Sequence, residues 1–305
     1  MLINQTILFL LLLLIALIYY RYAKKVGIVD RPNHRSSHSE VTVRGGGIIF
    51  PIAVVLWWFV NDYIHTWMVI GIVWISTVSL LDDLYTLSRK LRFGIQFMAL
   101  SMAFYDLGLF EQQPYWSLPI LYFVALGIIN AINFMDGING ITGLYSLAFF
   151  GTLLVVNQYM PIFDESLIQF VIMGISVFLI FNLRKKALMF AGDIGSISIA
   201  YLMIYFLTQW YLAGHAWTIV LMLLVYGADS FLTLGQRLIR KEKVTEPHRS
   251  HLYQLMANQL GWQHVLIALG FAIAQLVINY FLFIRDQGHP NSIFGFVILF
   301  ITALI

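Results

Sequence analysis

Cysteine is absent from the chain, which excludes a disulfide framework, a thiolate nucleophile and a Cys-ligated metal. Charge is scarce as well. Asp, Glu, Lys and Arg make up 11 % of the 305 residues, whereas soluble globular domains carry roughly 25 %. Hydrophobic residues account for 60 % and the mean hydropathy is +0.81. So apolar a chain has too few polar groups to cover its own surface, and this excludes a soluble enzyme, a disordered protein and a nucleic-acid binder. A net charge of +3 is too small to argue for a polyanion partner; where Lys and Arg fall matters more than their sum.

What the chain does have is apolar runs near the 20 residues, roughly, that a hydrocarbon core requires, separated by short polar breaks. Spans are expected near 4–20, 45–61, 66–81, 93–109, 117–134, 140–158, 166–182, 194–210, 216–234, 264–284 and 291–305, the last of them short. No second domain, low-complexity segment or internal repeat fits between them. The expectation is one integral membrane domain over 1–305, an all-α polytopic bundle of 10–11 transmembrane helices with its active-site loops in the cytoplasm. The first span lacks basic residues before it and a small-residue cleavage site after it, so it reads as a span with its N-terminus outside. Threading from there puts 17 of the 18 Lys and Arg on one side, in loops 21–44, 82–92, 184–186 and 235–262, with Arg285 alone opposite. The positive-inside rule makes the basic side cytoplasmic.

Polar motifs gather on that same side. Asp82 and Asp83 end the third span in LLDDLYTLSRKLRF; they read either as a solvated helix end or as a Mg²⁺ or general-base site, since hard cations take carboxylate oxygens. Arg89, Lys90 and Arg92 after them are topology anchors or phosphate holders. In NAINFMDGING, Asn130, Asn133 and Asp136 recur every three residues and would share a helix face. That segment is either a capped end followed by a turn or a polar ligand site. In MFAGDIGSISIAY, Asp193 is an N-cap or a metal ligand at a helix N-terminus that faces an anion. PHRSHLYQ carries His248, Arg249 and His251, which suit phosphate better than zinc because no third His is near. VRGGGIIF, from Val43 with Arg44, invites close packing or a turn around phosphate.

The ordered set VRGGG, LLDD, NAINFMDGING, AGDIGS and PHRSHLYQ resembles the polyprenyl-phosphate N-acetylhexosamine-1-phosphate transferases, over roughly residues 20–260. The resemblance implies transfer of a sugar-1-phosphate from a UDP-N-acetylhexosamine to undecaprenyl phosphate in the bilayer, releasing UMP, with Mg²⁺ or Mn²⁺. It implies a bacterial inner-membrane protein and leaves a homodimer open. By motif, Asp82 is the favoured base, with Asp83 beside metal and diphosphate. Asp136 is the acidic residue of the Asn-rich stretch, with Asn130 and Asn133 its companions, and Asp193 is the metal aspartate. His248 and His251 lie near the diphosphate, with Arg44, Lys90, Arg92 and Arg249 as phosphate contacts. Phe190 would stack on uracil, with Asn182 near the base. Asn139 stands where the family often has a second aspartate, so it keeps an amide but loses a charge. The muramoyl branch is expected to carry three consecutive His, and His248-Arg-Ser-His251 points instead to an O-antigen-type enzyme with a simple UDP-HexNAc. The alternative, a transporter or flippase for a lipid-linked sugar, would place its site near the membrane midplane.

Overall fold

A computed structural model describes residues 5–32, 40–214, 216–243 and 249–289, with Gly295 and Val297 beyond them. Helix α1 (Gln5–Val26) leads into a two-residue antiparallel ribbon of β1 (Val29–Asp30) and β2 (Thr42–Val43), with Val29 opposite Val43. After a 3-10 turn (Gly46–Ile48) come α2 (Ile49–Val60), α3 (Thr66–Tyr85), α4 (Arg89–Asp106) and the short α5 (Leu109–Gln112). Then follow α6 (Leu118–Met135), α7 (Ile141–Tyr159), α8 (Glu165–Asn182) and α9 (Gly192–Gly214). A 3-10 stretch (Trp217–Leu223) runs straight into α10 (Leu224–Ile239), and α11 (Leu252–Asn258) and α12 (His264–Asn279) complete the described helices.

Eight helical segments are long and apolar enough to cross a membrane, and Gly46–Val60 is a shorter apolar helix. Counting α4 with these, a helix stands at each of the first ten expected spans; the eleventh, 291–305, lies outside the described residues apart from Gly295 and Val297. The chain is thus an all-α, multi-pass membrane protein. Two boundaries differ from expectation. Helix α4 begins at Arg89 rather than near 93, because Ser88 caps it by accepting a hydrogen bond from Leu91 N–H at 3.3 Å. Arg89, Lys90 and Arg92 therefore ride on its first turn, and only residues 86–88 join α3 to α4. Likewise 235–262 is not one loop, since α10 continues to Ile239 and α11 forms within it.

Helix α9 sits at the centre, against α2, α3 and α6. Its residues from Ile194 to Leu207 are all buried, as expected of a helix apolar on every side. Close approach to the chain entering α2 requires glycine at two positions. A Cβ at Gly47 would lie 2.9 Å from Gly195 N and 3.0 Å from Ala191 O, while one at Gly195 would lie 2.9 Å from Gly47 Cα. Backbone bonds fix this seam: Gly46 N–H donates to Phe190 O at 2.8 Å and Gly47 N–H to Ala191 O at 3.1 Å.

The junction between the 3-10 stretch and α10 leaves backbone groups that lipid cannot satisfy. The fully buried Gln275 of α12 supplies them. Its Oε1 accepts from Val225 N–H at 3.0 Å and from the Tyr145 hydroxyl at 2.7 Å, and its amide donates to Leu221 O at 3.0 Å.

Candidate active site

The C-terminal ends of α3 and α6 and the N-terminus of α9 meet at one end of the bundle. Gly192, with φ of 71°, opens α9. A Cβ there would come within 2.6 Å of Asp83 Oδ2, so glycine lets the Asp83 carboxylate sit over the start of the helix. Asp83 Oδ2 accepts from Asp193 N–H at 3.0 Å, and Oδ1 pairs with Arg44 Nη2 at 2.7 Å. The Asp83 side chain is 1 % exposed and that of Arg44 36 %. The guanidinium therefore covers a buried carboxylate and still reaches solvent. Arg44 is steadied in turn by its carbonyl, which accepts from the Tyr19 hydroxyl at 2.7 Å.

Asp193 lies one residue into α9. Its Oδ1 accepts from Asn133 Nδ2 at 3.0 Å, and the same amide donates to Ser196 Oγ at 3.0 Å. Asn133 thus ties the end of α6 to the start of α9. Asp136 follows α6, and its Oδ1 accepts from the Thr142 hydroxyl at 2.6 Å. Burial pushes the Asp136 pKa up to about 6, the nearby charge of Asp193 adding to this, while Thr142 and Arg44 oppose it. Asp193 therefore feels both Asp83 and Asp136, and Arg44 is the guanidinium that offsets them among the described residues, which leaves an excess of negative charge.

Such a donor set of carboxylate and amide oxygens suits a hard divalent cation. Among the described residues no group of three or more His, Asp or Glu is close enough to hold a metal alone. Mg²⁺ needs no such cage, since it is usually bound by one or two carboxylates with water and substrate phosphate. Asp193 and Asp83 fit that role.

The other residues expected at the site divide into two groups. Asp82 turns away from Asp83: its Oδ2 pairs with Arg92 Nη1 at 2.8 Å and its Oδ1 accepts from Leu87 N–H at 2.6 Å. It lines a cleft with Ile75, Val78, Ile95 and Ile197, between α3, α4 and α9. Lys90 is exposed on the first turn of α4. Asn130 is exposed and donates back to Leu126 O at 2.7 Å, off the carboxylate cluster. Asn139 and Asn182 are buried and stitch the loops at this end of the bundle together. Asn139 donates to Arg184 O at 2.8 Å, while Asn182 accepts from Gly140 N–H at 2.7 Å and donates to Met189 O at 2.8 Å. Phe190, half-buried, pairs its N–H with Val43 O at 2.8 Å.

His248 lies outside the described residues. Arg249 is half-buried, and His251 is buried at the start of α11. There the structure adds two residues that sequence reasoning passed over. Asp229 of α10 approaches His251 Nδ1 at 3.2 Å. Tyr253, fully buried, donates to Phe134 O at 2.9 Å, and burial raises its pKa. A single carboxylate inside an apolar span was the available signal for Asp229; nothing local distinguishes Tyr253.

Fold and site together define a multi-pass membrane protein with a carboxylate cluster at one end of its bundle. Residues 65–211 match the model of glycosyl transferase family 4, a segment holding Asp82, Asp83, Asp136 and Asp193. The chain is 29 % identical over 295 residues to a probable undecaprenyl-phosphate N-acetylglucosaminyl 1-phosphate transferase of Bacillus subtilis (strain 168), covering 88 % of this chain and 82 % of that protein. It is 24 % identical over 262 residues to an undecaprenyl-phosphate alpha-N-acetylglucosaminyl 1-phosphate transferase of Thermotoga maritima, covering 83 % and 81 %. A phospho-N-acetylmuramoyl-pentapeptide-transferase of Lactococcus lactis subsp. cremoris matches at 25 % over 309 residues, covering 86 % and 90 %. Over most of its length the chain is thus similar to this group of phosphosugar transferases.

Proposed function

We propose that the chain transfers an N-acetylhexosamine-1-phosphate from a UDP-sugar to undecaprenyl phosphate at the cytoplasmic face of a bacterial inner membrane, initiating an O-antigen-type polysaccharide. The relatives' names support the lipid acceptor and the class of group transferred. The observation that carries the reading is the convergence of Asp83, Asp136 and Asp193 around Arg44 at one bundle end. A transporter would place such groups midway along its spans.

In the reaction a terminal oxygen of the acceptor phosphate attacks the sugar-bearing phosphorus. The bond from that phosphorus to the bridging oxygen breaks, and UMP leaves with the electron pair. Two anions must meet, so the protein's task is neutralisation and alignment. Arg44, paired on one side with Asp83 and open on the other, contributes positive charge to the diphosphate. Asp193 and Asp83 would hold Mg²⁺ or Mn²⁺, which when bound would polarise the phosphorus and stabilise the departing UMP. Asn133 fixes the direction of the Asp193 carboxylate, while Arg249 and His248 donate to phosphate oxygens. Asp82, steered by Arg92, takes the last proton of the acceptor; a phosphomonoester's second pKa of about 6 leaves it little to do.

The test is UMP release by the purified protein with undecaprenyl phosphate, Mg²⁺ and a panel of UDP-N-acetylhexosamines. Release with at least one donor is expected, with Asp193→Asn inactive yet melting like wild type. Silence with every donor refutes the reading, and near-normal turnover by Asp193→Asn refutes the metal assignment.

A further inference from the structure

Asp229 is an acidic side chain within the span Trp217–Ile239, and it is 3 % exposed. Carboxylates at such depth are retained where they have partners or a task. Two donors and a histidine ring nitrogen converge on one of its oxygens. Oδ1 takes Leu252 N–H at 3.0 Å, the Thr233 hydroxyl at 3.2 Å and His251 Nδ1 at 3.2 Å. Its Oδ2 is buried with no hydrogen-bond partner among the described residues.

The histidine it meets is placed against the end of α6. The His251 ring stacks on Tyr253, centroids 5.9 Å apart and planes 21° apart, and lies 6.3 Å from the Phe134 ring. Tyr253 in turn donates to Phe134 O, and Gly137 gives it room, since a Cβ there would fall 2.9 Å from its ring carbons. A continuous set of contacts therefore links Asp229 through His251 and Tyr253 to the segment that carries Asp136.

We infer that Asp229 is a positioning residue for the transfer reaction: it holds His251 as the Nδ1–H tautomer, which leaves Nε2 unprotonated and able to accept a hydrogen bond from a substrate hydroxyl. A backbone N–H can only donate, so Oδ1 is an acceptor toward α11, and an acceptor oxygen orients a neutral imidazole with its proton on the near nitrogen. Outer partners of this kind set both the tautomer and the angle of a working histidine. This role rests on the transferase reading and adds a residue to it. Asp229 touches no substrate; it acts through His251.

The test has two readouts. Imidazole ¹⁵N spectra of the full-length protein, with His251 assigned by difference from His251→Gln, should show protonated Nδ1 and unprotonated Nε2 in the wild type. Asp229→Asn should mix the tautomers and lower kcat by about 10- to 100-fold with KM for the UDP-sugar little changed. In a His251→Gln background the same substitution should cost almost nothing further, because its effect travels through that ring. A wild-type ring protonated on Nε2, or equal losses in the two backgrounds, overturns the assignment. The spectrum of the wild type needs no activity, and only His251→Gln has to fold for its assignment. Absence of UMP release with an Nδ1–H ring would sink the transferase reading and the reaction role with it. An active wild type with the wrong tautomer would sink the positioning role alone.

Discussion

Replacing Gly47 by alanine should damage both stability and turnover, and the size of the effect follows from the seam between α9 and the chain entering α2. The added Cβ would lie 2.9 Å from Gly195 N and 3.0 Å from Ala191 O, both backbone atoms. Carbon contacts prefer about 3.5–4.0 Å, so the two backbones must part by roughly an ångström or lose their bonds. Overpacking of this kind costs about 1–3 kcal/mol. Loss of the two bonds from Gly46 and Gly47 to residues 190 and 191 adds about 1 kcal/mol each. A total near 3–5 kcal/mol corresponds to a fall in Tm of roughly 6 °C or more, readable by tryptophan fluorescence in detergent. Arg44, three residues upstream, moves with the seam while Asp193 stays with α9, and a displacement of about 1 Å at a site of this type costs about 100-fold in rate. Gly151→Ala is the control, because its Cβ would meet nothing within 4 Å and should stabilise α7 by about 0.5–1 kcal/mol. If Gly47→Ala melts and turns over like wild type, the seam does not hold the site together and the steric reasoning is wrong.

Two further expectations concern the rest of the bundle. His65 Nδ1 meets Asp106 Oδ2 at 2.6 Å, with the Tyr205 hydroxyl 3.1 Å from the same oxygen. The hydrogen bond to Asp106 raises the His65 pKa against the opposing effect of burial, and the charges of Asp106 and Asp164 reinforce it. A raised folded-state pKa means stability present in full below the ordinary histidine value, near 6.5, and lost as pH rises through the folded one. The Tm difference between wild type and His65→Gln should therefore be largest in mild acid and shrink toward alkaline pH; a difference independent of pH would contradict this. Gln275→Leu removes the partners of Val225 N–H and the Tyr145 hydroxyl, at about 1–3 kcal/mol for each buried group left unsatisfied. The Tm should fall accordingly with no shift in pH dependence, and an unchanged melting curve would show that the broken span is held by other means.

Much of the bundle was legible in the sequence because each span is apolar over the length a bilayer demands and the polar breaks are short. The boundaries that moved did so for local reasons. Ser88 looked like one more polar loop residue until it capped α4, and the charged end of α10 hid a helix that continues past its apolar part. Among the site residues, adjacency misled most. Asp82 and Asp83 are consecutive on a helix, so their side chains leave the axis about 100° apart, and only Asp83 faces α9 while Asp82 turns to Arg92. Asn139 and Asn182 were singled out by resemblance to the family's motifs, and buried amides need partners. They have them, but the partners are loop carbonyls and a backbone N–H rather than the carboxylate cluster. Two of those pairings join residues more than forty positions apart, and no spacing along the chain encodes them. Asp229 could have been noticed as a lone carboxylate in a span; its partner His251, 22 residues on, could not have been assigned.

The way Asp83 is held bears on why the proposed reaction would call for a cation. The N-terminus of a buried helix is ordinarily a ready anion site, with free N–H groups and the positive end of the macrodipole. At α9 that position is already taken: Asp83 accepts from Asp193 N–H, and the glycine before it brings the carboxylate too close for a phosphate to share the place. A diphosphate arriving at this end of the bundle therefore cannot be neutralised by the helix. It meets Asp83, Asp136 and Asp193 against the single guanidinium of Arg44, a local balance that repels it. A divalent ion held as proposed at Asp193 would reverse that balance, because it would convert two of the repelling carboxylates into the means of holding the substrate's charge. On this reasoning the UDP-sugar should bind weakly without metal and the two should bind cooperatively. Arg44→Ala should weaken nucleotide binding in the presence of Mg²⁺ while leaving the requirement for the ion intact. Equal UDP-sugar affinity with and without Mg²⁺ would show that the helix end, and not the cation, receives the phosphate.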